Sequence, residues 1–112
     1  MPTRDDLVAR VESAGRQVAS LERQLDAMIE ASRGDNADDE HDPEGSTIAF
    51  ERQQLAALVE RARRTQQDAQ QALDQLDAGT YGICRRCAQP IAPERLEARP
   101  DAQLCIDCAR AG

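Results

Sequence analysis

The chain has no lysine and no tryptophan, and only one tyrosine, one phenylalanine and one histidine among its 112 residues. All fourteen basic residues are arginine, and against twenty-one acids they leave a formal net charge of −7. Such a surface repels phosphate backbones, which argues against nucleic-acid binding, specific DNA binding included, as the main activity. It suits a basic protein surface or channel instead. With aromatics nearly absent, the core falls to Leu, Val, Ile and Ala and must be thin. No apolar run approaches the about 20 residues of a membrane-spanning helix, so no membrane contact is expected. The start, Met1-Pro2-Thr3-Arg4-Asp5-Asp6, is polar with no apolar run behind it, unlike a secretory signal, which points to a cytoplasmic protein.

What the sequence has in quantity is Ala, Gln, Glu, Arg and Leu, a helix-forming composition. Thr3 and Asp6 are spaced as a capping box. Behind them Leu7, Val11, Ala14, Val18, Leu21, Leu25 and Met28 recur at steps of 4, 3, 4, 3, 4 and 3, a heptad seam. Arg10, Glu12, Arg16, Glu22, Arg23 and Asp26 lie off this seam and read as a solvated face, and Gly15 has no evident role. A second seam runs through Ile48, Leu55, Leu58, Ala62, Thr65, Ala69, Ala72 and Leu76, widened by Val59 and Leu73. Arg61, Arg63 and Arg64 read as its solvated side. Gly79 is placed to supply a left-handed cap. Between the seams, residues 32–46 hold turn residues and six acids within residues 35–44, and Ser46 or Thr47 is placed to cap the following helix. These patterns predict a mainly α fold. An antiparallel two-helix coiled-coil hairpin takes residues 1–79, with helices over about 4–31 and 47–78 and an acidic tip loop over about 32–46, in a monomer.

The four cysteines form two pairs, Cys84-Arg85-Arg86-Cys87 and Cys105-Ile106-Asp107-Cys108, seventeen residues apart. This is the spacing of a four-thiolate zinc site. Zn²⁺ takes four ligands at tetrahedral corners, and a closed Cys₄ set holds a structural metal, not a catalytic one. Two disulfides or a redox Cys-x-x-C are the competing readings. The first does not fit a cytoplasmic chain, and the second expects one pair in a βαβ setting. Residues 80–112 are therefore expected to form a small finger around one structural Zn²⁺, with short helices over 92–98 and from Cys105. Few bulky apolar side chains lie here, and a segment so short needs a metal to fold. His41 is remote from the cysteines and no general base stands beside an open metal position, so no enzyme is expected.

The stretches Tyr81-Gly82-Ile83-Cys84-Arg85-Arg86-Cys87, Pro90-Ile91, Arg95-Leu96-Glu97-Ala98-Arg99-Pro100 and Leu104-Cys105-Ile106-Asp107-Cys108 closely resemble the zinc-finger signature of the DksA/TraR family. The resemblance implies a bacterial transcription regulator that binds RNA polymerase without needing DNA contacts. Its coiled coil would enter the secondary channel, acidic residues at the tip would approach the catalytic centre, and the finger would hold the rim. The tip motif of the family, Asp-x-x-Asp-x-Ala, is matched by Asp39 and Asp42, with Glu44 in place of the Ala. An ungapped count from the cysteines places His41, Glu44 and Ser46 there instead. By the same count Arg61 and Arg99 match basic positions of the family's ppGpp site. Two further basic positions fall on Asp68 and Ala109, with Arg110 adjacent, so ppGpp binding is expected to be weak or absent. A zinc-ribbon protein–protein adaptor with a helical dimerisation arm is the alternative reading.

Overall fold

The structure, a computed structural model, describes residues 1–33 and 43–112, with side chains described from residue 47 onward in the second segment. It consists of α1 (Arg4–Arg33), α2 (Pro43–Ala78), α3 (Pro93–Ala98) and α4 (Ile106–Ala111). Among the described residues the only β pairing is an isolated antiparallel bridge between Ile83 and Pro90. Helix α1 starts where the capping box places it. The Thr3 N–H donates to Asp6 Oδ2 at 2.9 Å and the Asp6 N–H to Thr3 Oγ1 at 3.2 Å. The Thr3 N–H, with help from its hydroxyl, lowers the Asp6 pKa. Pro2 and Leu7 are both buried on either side of the cap, the positions of a hydrophobic staple.

Both helices are longer than the seams alone predict. α1 runs on to Arg33, and α2 begins at Pro43 where the expected start was near residue 47. Pro43 is itself the reason: its fixed φ and missing N–H suit the first helical position. Ser46 and Thr47 therefore lie inside the helix, past its first residue. The far end of α2 closes in a Schellman motif, with Thr80 N–H to Gln75 O at 2.8 Å and Gly79 N–H to Leu76 O at 3.2 Å. Gly79 sits at φ +79°, the left-handed cap that a side chain would strain.

The helices are antiparallel and pair within the chain. Arg4 at the start of α1 meets Asp77 at the end of α2 at 2.9 Å, and Glu22 meets Arg63 at 2.9 Å. On α1 every expected seam residue is at least half-buried, with Leu7, Ala14 and Val18 buried outright. On α2 the seam is rotated from the expected one. Leu58 is 45% exposed and Thr65 is exposed, whereas Val59 is 2% exposed and Gln66 half-buried. The buried stripe runs through Leu55, Val59, Ala62, Gln66, Ala69, Ala72 with Leu73, and Leu76, so between Leu55 and Leu76 it departs from the expected one at Leu58 and Thr65. Val59 is buried in place of Leu58 and Gln66 in place of Thr65, whereas at the base Ala72 is fully buried as expected with Leu73 half-buried beside it. Gln66 faces Gly15, where a Cβ would lie at an ordinary contact distance of 3.5 Å from Gln66 Nε2. Glu22 and Arg63, read as solvated, are an interhelical pair, and Arg63 also holds Glu60 at 2.8 Å.

The molecule measures 57 × 30 × 19 Å with a radius of gyration of 19.1 Å. A compact domain of this length would have about 13 Å. The excess is the hairpin, whose base carries the cysteine module.

Candidate metal centre

The first cysteine pair sits on a tight turn. Cys84 N–H donates to Gln89 O at 2.8 Å, Ala88 N–H to Cys84 O at 2.8 Å, and Ile91 N–H to Gly82 O at 2.7 Å. Ala88 takes φ +62° to close it. Gly82, at φ +85°, lies under Leu96, and a Cβ there would come within 3.3 Å of Leu96 Cδ1. The second pair brackets the start of α4, with Cys105 as its N-cap residue and Ala109 N–H donating to Cys105 O at 2.9 Å. Between them α3 starts with Pro93 in its first turn and ends at Arg99, held extended ahead of Pro100. Cys84, Ile91 and Leu96 form a small core, flanked by Tyr81, Ala102, Leu104, Cys105 and Cys108. Tyr81 donates its hydroxyl to Pro100 O at 2.8 Å, and Arg95 Nε donates to Leu104 O at 2.9 Å.

The four sulfur atoms lie within 4.8 Å of one another, and no His, Asp or Glu joins them among the described residues. Cys87 Sγ and Cys105 Sγ are 3.8 Å apart. Four sulfurs at about 2.3 Å from a tetrahedral zinc stand about 3.8 Å from each other, so the donors fit the ion. A disulfide would need about 2.05 Å, and all four cysteines are free. The chemistry of the set agrees. Backbone N–H groups of Cys105 and Cys87 pull the Cys84 thiol down to about 6. The Cys105 sulfur, ahead of burial, pushes Cys108 up to about 12. Thiolates this close repel one another, and a dication is what lets all four ionise together. Cys84, Cys87, Cys105 and Cys108 thus fit one structural zinc ion, and a complete thiolate tetrahedron around it would leave no open position for catalysis.

The segment ahead of the second cysteine pair locks this module to the hairpin. Asp101 and Gln103 are each only 7% exposed. Asp101 Oδ1 accepts from Arg10 of α1 at 3.2 Å. Gln103 accepts from Gln75 of α2 at 3.2 Å and donates to Asp68 O at 3.4 Å. Its carbonyl takes the Arg85 N–H at 3.0 Å, tying the two cysteine segments together. Sequence reasoning missed this latch and assigned Arg10 to solvent. Asp101 and Gln103 are polar residues with nothing in their spacing that announces burial.

The other expected site residues are scattered. Asp39 and Asp42 lie outside the described residues, and Glu44 falls in the first turn of α2 with its side chain undescribed. Arg61 is exposed on α2, lining a groove with Leu21 and Leu58. Arg99 lines a separate cleft of about 220 Å³ with Arg85, Arg95, Asp68, Asp101 and Ala109. Burial first, then the Asp101 charge, raises the Asp68 pKa there. Arg110 is exposed on α4 and does not line that cleft.

Hairpin and thiolate site together define a four-cysteine zinc-finger protein with a helical arm. Residues 79–111 match the prokaryotic dksA/traR C4-type zinc finger, and this segment is a finger of that type. Over 49 residues it is 43% identical to the RNA polymerase-binding transcription factor DksA of Haemophilus influenzae, covering 44% of this chain and 34% of that one. The Escherichia coli protein of the same name is 39% identical over 49 residues, covering 44% and 32%. The matches thus span about a third of those relatives' length. General stress protein 16O of Bacillus subtilis is 27% identical over 93 residues, covering 82% of this chain and 57% of that one. The solved structure of transcription factor DksA2 from Pseudomonas aeruginosa superposes with a TM-score of 0.74 at 28% identity, covering 96% of this chain and 78% of that one.

Proposed function

We propose that this chain is a non-enzymatic regulator of transcription that binds bacterial RNA polymerase, in the cytoplasm, by reaching into the secondary channel with its hairpin. The observation that carries the reading is the likeness of almost the whole chain, 96% at a TM-score of 0.74, to DksA2. The shape supports it: a narrow two-helix arm stands on a base stiffened by zinc and by the Asp101–Gln103 latch. The base braces the channel rim, and Asp39, Asp42 and Glu44 meet the catalytic centre. No helix among the described residues is long and apolar enough to cross a membrane.

The ppGpp response is weak or absent. The cleft that holds Arg99 also holds the Asp68 and Asp101 carboxylates, and Ala109 brings no charge to it. Arg61 sits seven residues before Asp68, about 10 Å along α2, and lines another groove. The seams of α1 and α2 are spent on each other, which speaks against a dimerisation arm and for a monomer.

The test uses purified zinc-loaded chain and core polymerase. Co-elution is expected. Replacing Asp39 and Asp42 together by Asn leaves binding intact and abolishes the effect on promoter-complex lifetime. A double variant that behaves as wild type in that assay removes the tip assignment, and absence of co-elution removes the reading.

A further inference from the structure

The two halves of the cysteine tetrad are held in different ways. The first pair is fixed by its own turn, through the bonds that the Gln89, Cys84 and Gly82 carbonyls accept. The second pair follows residues 99–105, which form neither helix nor strand. Where Cys105 stands relative to Cys84 therefore depends on what holds the segment ahead of it.

Gln103, two residues before Cys105, is bonded on both its backbone and its side chain. Its backbone carbonyl accepts the N–H of Arg85, the residue after Cys84, at 3.0 Å. Its side-chain carbonyl accepts from Gln75 Nε2 at 3.2 Å. Its amino group donates to Asp68 O at 3.4 Å and to Asp101 O at 3.3 Å. The buried amide thus meets a donor at its oxygen and acceptors at its nitrogen, which fixes its orientation. Asp68 and Gln75 stand two turns apart on one face of α2, and Ala72 between them on that face is fully buried. The support is a 36-residue helix that is itself paired with α1.

We propose that Gln103 is a positioning residue for the zinc site: anchored on Gln75 and Asp68 of α2, it holds the second cysteine pair in register with the first and slows loss of the metal. Groups that orient metal ligands from outside the ligand set change metal retention when they are removed. Glutamine suits the position and glutamate does not, because a carboxylate would turn an oxygen towards the Asp68 and Asp101 carbonyls. Gln75 lies outside the finger, thirty positions before Cys105, so the hairpin itself contributes to holding the ion.

The test follows zinc release from the full zinc-loaded chain into excess chromogenic chelator, well below the melting midpoint. It involves no polymerase, so its outcome is separate from the functional reading above. Gln75→Met removes the donor on α2 and speeds release by about three- to tenfold, the weight of one hydrogen bond. Gln103→Glu speeds it by about tenfold or more. Val18→Ala, in the hairpin core farther out than the latch, lowers the midpoint but leaves the release rate within about twofold. Release at the wild-type rate from either glutamine variant overturns the proposal. So does a Val18→Ala variant that speeds release as much as Gln75→Met does, because zinc retention would then follow overall stability and not the placement of Gln103.

Discussion

Breaking the Arg10–Asp101 pair is the sharpest way to ask whether the finger grips the hairpin. The side chain of Asp101 is 8% exposed and that of Arg10 39%. Arg10 Nε is buried without a hydrogen-bond partner, and among the described residues Asp101 is the carboxylate that pairs with that guanidinium. Asp101→Asn keeps the shape and removes the charge. A hydrogen bond between charged groups contributes about 1.5–3 kcal/mol, and water reaching the exposed part of Arg10 recovers some of it, so the loss should be about 2 kcal/mol. For a chain of this length each kcal/mol moves the midpoint by about 4 °C, giving a fall of about 8 °C. The assay is thermal unfolding of the zinc-loaded chain followed by helical circular dichroism. Arg10→Met, which keeps most of the stem, completes a double-mutant cycle, and a coupling energy of about 1.5 kcal/mol is expected. Additivity of the two variants within about 0.3 kcal/mol would refute the latch, because independent sites behave that way.

Three further outcomes follow from the geometry. Chelating the zinc should expose all four thiols to a reactive probe together and unfold residues 79–111, while most of the signal from α1 and α2 persists; thiols that react before chelation would contradict the closed tetrahedron. Gly15→Ala should stabilise the chain by up to about 1 kcal/mol in the same melting assay, because the added Cβ meets Gln66 Nε2 at an ordinary 3.5 Å and the helix loses a flexible residue. Asp68→Asn should raise the midpoint at pH 7: the folded protein holds the Asp68 proton more tightly than the unfolded chain, so its carboxylate lowers stability above the ordinary carboxylate range and ceases to as pH falls into it. The gap between variant and wild type must therefore narrow as pH falls from 7 into the ordinary carboxylate range of about 4, and a gap that widens would reverse the assignment.

The features legible in the sequence were those set by local chemistry. The cysteine spacing gave the tetrad, Thr3 with Asp6 gave the start of α1, and Gly79 gave the end of α2, because each rests on residues within a few positions of one another. The α2 register was not legible, since Leu55, Ala62, Ala69 and Leu76 belong to two overlapping heptad stripes. Only the facing helix, with Gly15 opposite Gln66, selects between Leu58 and Val59. The latch was invisible for the same reason on a larger scale: Arg10 and Asp101 are ninety-one positions apart and polar, and burial of a polar pair is decided by tertiary geometry. The tip residues Asp39 and Asp42 rest on the family resemblance and fall outside the described residues.

The most direct measurement of the central claim is a pull-down of core RNA polymerase by the zinc-loaded chain, challenged with a second protein known to occupy the secondary channel. The account predicts capture that the competitor displaces in proportion to its concentration. Failure to capture the polymerase, or capture that persists unchanged under saturating competitor, would contradict it.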